Sequence, residues 1–179
     1  MGPPRLTTIG HGALEAEQFA ALVVGAGLED VVDVRSFPGS RRHPHFGRAQ
    51  MEQWLPAAGV GYGWEQALGG FRKPRPDSPN VALRHASFRG YADHMRTGEF
   101  RAALDRVVTA AGGREVAVMC SEGLWWRCHR RLLADAVVMA YGAEVRHLLH
   151  NGRLEAHRVT DGARPGDDGL PVYDAGVLL

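Results

Sequence analysis

"VAVMCSEGLWWRCHRRLLADAVVMAYG", residues 116–142, passes from an apolar run through a polar loop into a helical pattern. The opening run is of strand length and has no polar alternation, which predicts a strand covered on both faces. Beyond the loop, Leu132, Leu133, Ala136, Val137 and Ala140 recur at helical spacing. A doubly covered strand that feeds a helix is the building unit of a parallel α/β sheet, so this stretch sets the expectation for the rest of the chain.

The remaining sequence repeats that alternation. RLTTIG (5–10) reads as a first strand, followed by Leu14, Phe19, Leu22, Val23 and Ala26 at helical spacing before a terminating Gly27. DVVDVR (30–35) is a second strand, RAQMEQWLPAAG (48–59) a helix stopped near Pro56 and Gly59, and VGYGWEQ (60–66) a third strand. GGFRKPRPDSPN (69–80) is a long surface loop. SFRGYADHM (87–95) then gives a short helix and EFRAALDRVVTAAG (99–112) a longer one, with Phe100, Leu104, Val107, Val108 and Ala111 on one face. EVRHLLH (144–150) is the last strand, and the tail from Asn151, with its DGARPGDDG, is expected to be irregular and partly mobile. Strands separated by helix-length crossovers imply a single α/β domain over 1–179, with a mainly parallel sheet and helices on both faces. Ligands in such sheets bind at the carboxyl ends of the strands.

Composition narrows the function classes. The 179 residues, 45% apolar and 23% charged, suit one ordinary globular domain. A net charge of +1 excludes a global field that would draw in nucleic acid or an anionic membrane, so a basic function must come from a local patch. Of the 21 basic residues only Lys73 is lysine, and arginine suits bidentate recognition of phosphate or carboxylate. No run approaches the ~20 apolar residues of a membrane span and MGPPRLTTIG lacks a signal-peptide core, so a cytoplasmic protein with no membrane partner is expected. Cys120 and Cys128 are too few for a disulfide scaffold and are expected to be free thiols.

The strand ends carry the chemistry. Cys120 ends the buried strand, and the start of the next helix with Arg127, His129 or Arg130 could depress its pKa and leave a thiolate nucleophile; otherwise it is a small buried hydrophobe. Six residues separate Cys120 from Arg127, one more than in the phosphatase pattern of cysteine, five residues, arginine, so that mechanism does not transfer. Glu122 is a general acid or base, or else a solvated loop residue. His11 is an acid/base or orienting group, or a satisfied structural histidine. Asp33 and Arg35, two apart on a strand, share a face, and Asp33 is expected to orient Arg35 toward an anion. SFPGSRRHPHFGR (36–48) clusters Arg41, Arg42, His43, His45 and Arg48 where a phosphorylated ligand or nucleic-acid backbone could bind. Trp125 and Trp126 either stack a base or shield the loop. Cys120, Cys128 and His129 offer zinc-compatible donors, yet the adjacent Cys-His pair lacks the usual chelating spacing, so no metal or other cofactor is assigned.

TIGHG (8–12), VDVRSFPGSR (32–41), YGWEQALGG (62–70) and VMCSEGLWWRCHR (118–130) together resemble a bacterial family, domain of unknown function 488, over roughly residues 6–157. The resemblance implies motif positions at His11, Asp33, Arg35, Pro38, Ser40, Tyr62, Gly69, Gly70, Cys120, Glu122, Cys128, His129 and Arg130, and it supplies no activity. A DVR strand end followed later by a strand ending in cysteine is also similar to rhodanese, a sulfur-transfer fold, although the loop after Cys120 is longer and bulkier than that family's active loop. The expected function is a cysteine-dependent hydrolase or transferase on an anionic substrate such as a nucleotide or nucleic acid. Cys120, Glu122 and His11 would be catalytic; Asp33, Arg35, Ser40, Arg41, Arg42, Tyr62, Trp125, Arg127, His129 and Arg130 would bind substrate. The alternatives are a non-catalytic nucleotide or nucleic-acid binding module and a metal-supported structural site.

Overall fold

The computed structural model describes residues 2–174 as a single α/β domain built on one six-stranded sheet. In chain order the elements are β1 (Arg5–Gly10), α1 (Ala16–Gly25), β2 (Asp30–Asp33), α2 (Arg48–Ala57), β3 (Gly61–Trp64), α3 (Ala86–His94), α4 (Gly98–Ala111), β4 (Val116–Cys120), α5 (Arg130–Tyr141), β5 (Glu144–Leu148) and β6 (Leu154–Ala156). The sheet order is β3-β2-β4-β1-β5-β6, with every pairing parallel except β5 with β6. β4, the uniformly apolar run, sits between β2 and β1 and is buried at all five positions.

Strand pleating divides the core in two. Ile9, Val31, Ala117 and Met119 meet Phe19 and Val23 of α1 and Met51 and Leu55 of α2 on one face. Leu6, Val116, Val118 and Cys120 face Tyr91, Phe100, Leu104, Leu132 and Leu133 of α3, α4 and α5 on the other. The helix-setting signals are local. Glu15 and Gln18 form a capping box at α1, Thr97 caps α4 by accepting the Phe100 amide, and Gly142 in the left-handed region ends α5.

The segment from Asn151, read from sequence as irregular, is a correction within the described residues. It adds β6 to the sheet edge, then a small hairpin of β7 (Arg164–Pro165) and β8 (Pro171–Val172), and buries Leu170, Val172 and Tyr173. Its polar and glycine-rich composition hides these anchors, which are too sparse to make a period. Residues 175–179 of that tail lie outside the described residues. No helix among the described residues is long and apolar enough to cross a membrane.

Candidate functional site

Connections from β1 and β2 run to α1 and α2 on one face of the sheet, whereas β4 leads to α5 on the other. Chains that diverge from neighbouring parallel strands leave a crevice at their carboxyl ends. Here it is a cleft of about 430 Å³, lined by His11 after β1, Arg35 and Ser36 after β2, and Cys120, Ser121 and Glu122 at the end of β4. The loop after β4 passes directly over Gly10: a Cβ there would stand 1.8 Å from the Glu122 carbonyl oxygen. The amides of His11 and Gly12 donate to the carbonyls of Cys120 and Ser121, both at 2.9 Å, so the two strand ends are stitched together.

The arginine side of the cleft is built on Asp33, whose side chain is fully buried. Asp33 accepts Arg35 Nε at 2.9 Å and Nη2 at 2.6 Å, the Arg35 amide at 3.1 Å and the Tyr62 hydroxyl at 2.6 Å. Arg35 Nη2 also donates to the Phe46 carbonyl at 2.8 Å. His11 donates Nδ1–H to the Gly12 carbonyl at 2.9 Å, so its Nε2 is free to accept from Arg35 Nη1 at 3.4 Å. Burial holds His11 neutral, its pKa lowered to about 4, and its ring stacks on Phe46 at 4.1 Å. Both ring nitrogens are committed, so of the roles open to His11 the geometry favours the orienting one. Two hydrogens sit on Arg35 Nη1, and at most one can be taken by His11; the other is available toward the cleft.

The opposite side carries sulfur. Cys120 ends β4; after a 3-10 turn at Trp125–Arg127, Cys128 and His129 lead into α5. The three donor atoms, two Sγ and His129 Nδ1, lie within 4.8 Å of one another. His129 donates Nε2–H to the Val34 carbonyl at 3.0 Å, which leaves the Nδ1 lone pair facing the sulfurs. At Cys120 a hydrogen bond with Cys128 and then burial push the thiol up, which works against a thiolate there. Burial also pushes Cys128 up, but the Cys120 hydrogen bond and the Arg130 guanidinium, with Nε at 3.3 Å from Sγ, outweigh it and bring Cys128 down to about 6. Cys128 is therefore the more acidic thiol of the pair.

Of the expected substrate-binding residues, Arg35, Ser40, Arg127 and His129 line the cleft. Ser40 Oγ accepts the His43 amide at 2.9 Å, whereas exposed Arg127 forms no ion pair among the described residues. The others stand elsewhere. Arg130 is 1% exposed and donates to Cys128 and to the Glu122 carbonyl, so it braces the loop. Asp33 and Tyr62 sit behind Arg35, and Arg41 and Arg42 are exposed outside the cleft. Trp125 is outside the cleft lining, where it stacks one face on His147 at 4.0 Å and donates to Glu155. Glu122 lines the cleft as an exposed residue and accepts the Leu124 amide at 3.1 Å.

Sequence reasoning missed the aromatic lining, Phe37, Phe71 and Phe88. Phe71 is 86% exposed and is the one non-glycine residue with positive φ, 58°, among the described residues. A bulky residue in that conformation costs about 1–3 kcal/mol, and a side chain so exposed buries little to offset it. Phe71→Gly is expected to raise the unfolding free energy by up to about 1 kcal/mol while weakening ligand binding. Chemical denaturation beside a binding titration reads both; a destabilised variant would contradict the assignment of strain.

Behind the loop runs a second polar chain. Asp135, fully buried, accepts His157 Nε2 at 2.8 Å; His147 Nε2 lies 2.9 Å from His157 Nδ1, and Thr8 Oγ1 lies 2.7 Å from His147 Nδ1. Burial lowers His147 to about 3, with His157 and Arg130 adding charge repulsion. The unfolded chain takes up that proton near pH 6.5 and the folded chain does not, so stability is constant above about 6.5 and falls with acid, by up to about 1.4 kcal/mol per pH unit, until about pH 3. Urea titrations between pH 7.5 and 4.5 should show this slope on top of the like contribution of His11, and His147→Gln should reduce it by up to about 1.4 kcal/mol per pH unit; equal slopes would exclude His147 as a source.

The family model of a domain of unknown function, DUF488, matches residues 15–137, a span that holds Asp33, Arg35, Cys120, Cys128 and His129 and leaves out His11. No curated protein and no solved structure matches the chain. With more than half of its length under one family model, and the floor of the cleft inside that span, the chain belongs to the family of the domain of unknown function DUF488.

Proposed function

We propose that the protein is an enzyme that acts on an anionic substrate of nucleotide type in the cleft at the ends of β1, β2 and β4, with Cys120, Cys128 and His129 as the reaction centre. The observation that carries this reading is the convergence of three reactive donors within 4.8 Å on the wall of a cleft that also holds Arg127, an arginine with no ion pair among the described residues. Arg127 and the remaining Nη1 hydrogen of Arg35 hold the anion, while Asp33 and His11 fix Arg35 in place. The amino end of α5 adds partial positive charge beside Cys128 and His129. Glu122, on the exposed rim, exchanges a proton with the substrate or with water. Phe37, Phe71 and Phe88 give a planar ring an apolar lining, and this favours a nucleotide over a bare phosphate ester.

The test is product analysis after incubation with a panel of nucleoside mono-, di- and triphosphates and short oligonucleotides. At least one should be consumed. Arg127→Ala should raise KM by about 10–100-fold, the worth of one charge-assisted hydrogen bond, and His129→Gln should abolish turnover. Binding that survives without turnover, and weakens with salt, would overturn the enzymatic reading and leave a binding module.

A further inference from the structure

We propose that Cys120, Cys128 and His129 bind one thiophilic divalent metal ion of the zinc class through two sulfurs and a nitrogen, with the fourth position open to the cleft. The inference rests on reading that cleft as the reaction centre and says what kind of centre it is. Cys128 Sγ lies 3.6 Å and Cys120 Sγ 4.0 Å from His129 Nδ1, and the two sulfurs are within 4.8 Å. In a tetrahedron with metal–sulfur bonds of about 2.3 Å and metal–nitrogen bonds of about 2.0–2.1 Å, the S–N edge is about 3.6 Å and the S–S edge about 3.8 Å. The first distance already fits, and Cys120 Sγ completes the set by closing about 0.4 Å on the nitrogen and up to about 1 Å on the other sulfur.

The surroundings match what a metal ligand needs. Histidine ligands donate their second N–H to a carbonyl or carboxylate, which fixes the tautomer and aims the lone pair. His129 does this with Val34, and the freed nitrogen points to the sulfurs rather than to solvent. Arg130 supports Cys128 as a thiolate from the side. Gly70 is a separate indication: a Cβ there would come to 3.0 Å from His129 Nδ1, so a bare Cα keeps the space beside the donor atom open. The adjacency of Cys128 and His129, unpromising in sequence, is resolved by the backbone. Cys128 is extended and His129 turns into the helix, a change of conformation at consecutive residues that brings both donors to one point.

Among the described residues no further His, Cys, Asp or Glu side chain joins the three. All three line the cleft, so the fourth ligand is water or the substrate, as in catalytic rather than structural zinc sites. Two thiolates and a neutral imidazole balance a divalent cation, and whatever thiol proton is still held leaves to solvent on binding. An anionic substrate completing the shell would meet Arg127 at the same place.

Reduced, chelator-treated protein titrated with Co²⁺ and with Zn²⁺ tests this. One equivalent should bind, with the intense absorption of a tetrahedral cobalt thiolate, and azide should change that spectrum by entering the open position. Cys120→Ser, Cys128→Ser and His129→Gln should each weaken binding by about 100-fold or more. Gly70→Ala, which keeps every ligand, should weaken it by about 10-fold and guards against misfolding of the ligand variants. Absence of stoichiometric metal in folded protein overturns the metal inference, and the proposed function stands if those ligand variants still abolish turnover. A cobalt spectrum indifferent to azide overturns the open position. Metal bound, with turnover unchanged both by its removal and in the ligand variants, overturns the proposed reaction centre instead.

Discussion

Asp33→Ala is expected to destabilise the protein by about 3–5 kcal/mol, because it strips a buried guanidinium of its counter-ion. Arg35 is 5% exposed and three of its five N–H groups depend on Asp33 or on the geometry Asp33 enforces. Loss of the carboxylate also leaves the Tyr62 hydroxyl, raised in pKa by burial and by Asp33, without its acceptor. In a chain of this size the change corresponds to a fall in Tm of roughly 6–20 °C. Removal of both charges, in Asp33→Asn with Arg35→Met, should recover part of the stability while abolishing ligand binding. A double variant no more stable than Asp33→Ala would mean that the pair does more than neutralise itself.

Asp135→Ala is expected to cost about 3–5 kcal/mol for a different reason, the orphaning of three buried donors. Its carboxylate accepts His157 Nε2 at 2.8 Å, the Thr160 amide at 2.9 Å and the Tyr173 hydroxyl at 2.7 Å. Those donors all belong to the segment after β6, so one side chain on α5 holds the tail to the domain. Limited proteolysis should detect the effect as new cleavage between residues 157 and 174, ahead of global unfolding. Tyr173→Phe, which leaves Asp135 Oδ2 without this donor but keeps the other two bonds, should cost less, about 1.5–3 kcal/mol. Similar losses for the two variants would show that the single Tyr173–Asp135 bond, and not the carboxylate's set of three, docks the tail.

These two aspartates mark where the sequence is legible and where it is not. Asp33 stands inside an apolar run two residues before an arginine, and that pattern by itself announces a buried pair at a strand end. Asp135 lies within the apolar face of α5, with partners 22 to 38 residues away in a stretch without a period, so nothing local reveals it. The same contrast holds at the site. The burial of β4 and the alternation of strands with helices place Cys120, Arg35 and His11 at one edge, because period and strand direction decide position. Which arginine faces the cleft is decided by a single 3-10 turn: Arg127 rides on it and stays exposed, while Arg130, three residues on, opens α5 and turns inward. The meeting of Cys128 with Cys120 and His129 depends on the same turn. Spacing rules for chelation assume regular secondary structure between ligands and therefore pass over adjacent residues with different backbone angles.

The central claim is that an anionic substrate lies over Cys120, Cys128 and His129. It is tested most directly by the rate at which a small thiol reagent modifies each cysteine in reduced, metal-free protein, mapped by mass spectrometry with and without each nucleotide of the panel. At least one nucleotide should slow modification of both cysteines by about 10-fold when bound to most of the protein, and Arg127→Ala should remove that protection. Cysteines that react at one rate whatever nucleotide is present would contradict the account, since the ligand would then be bound elsewhere or not at all.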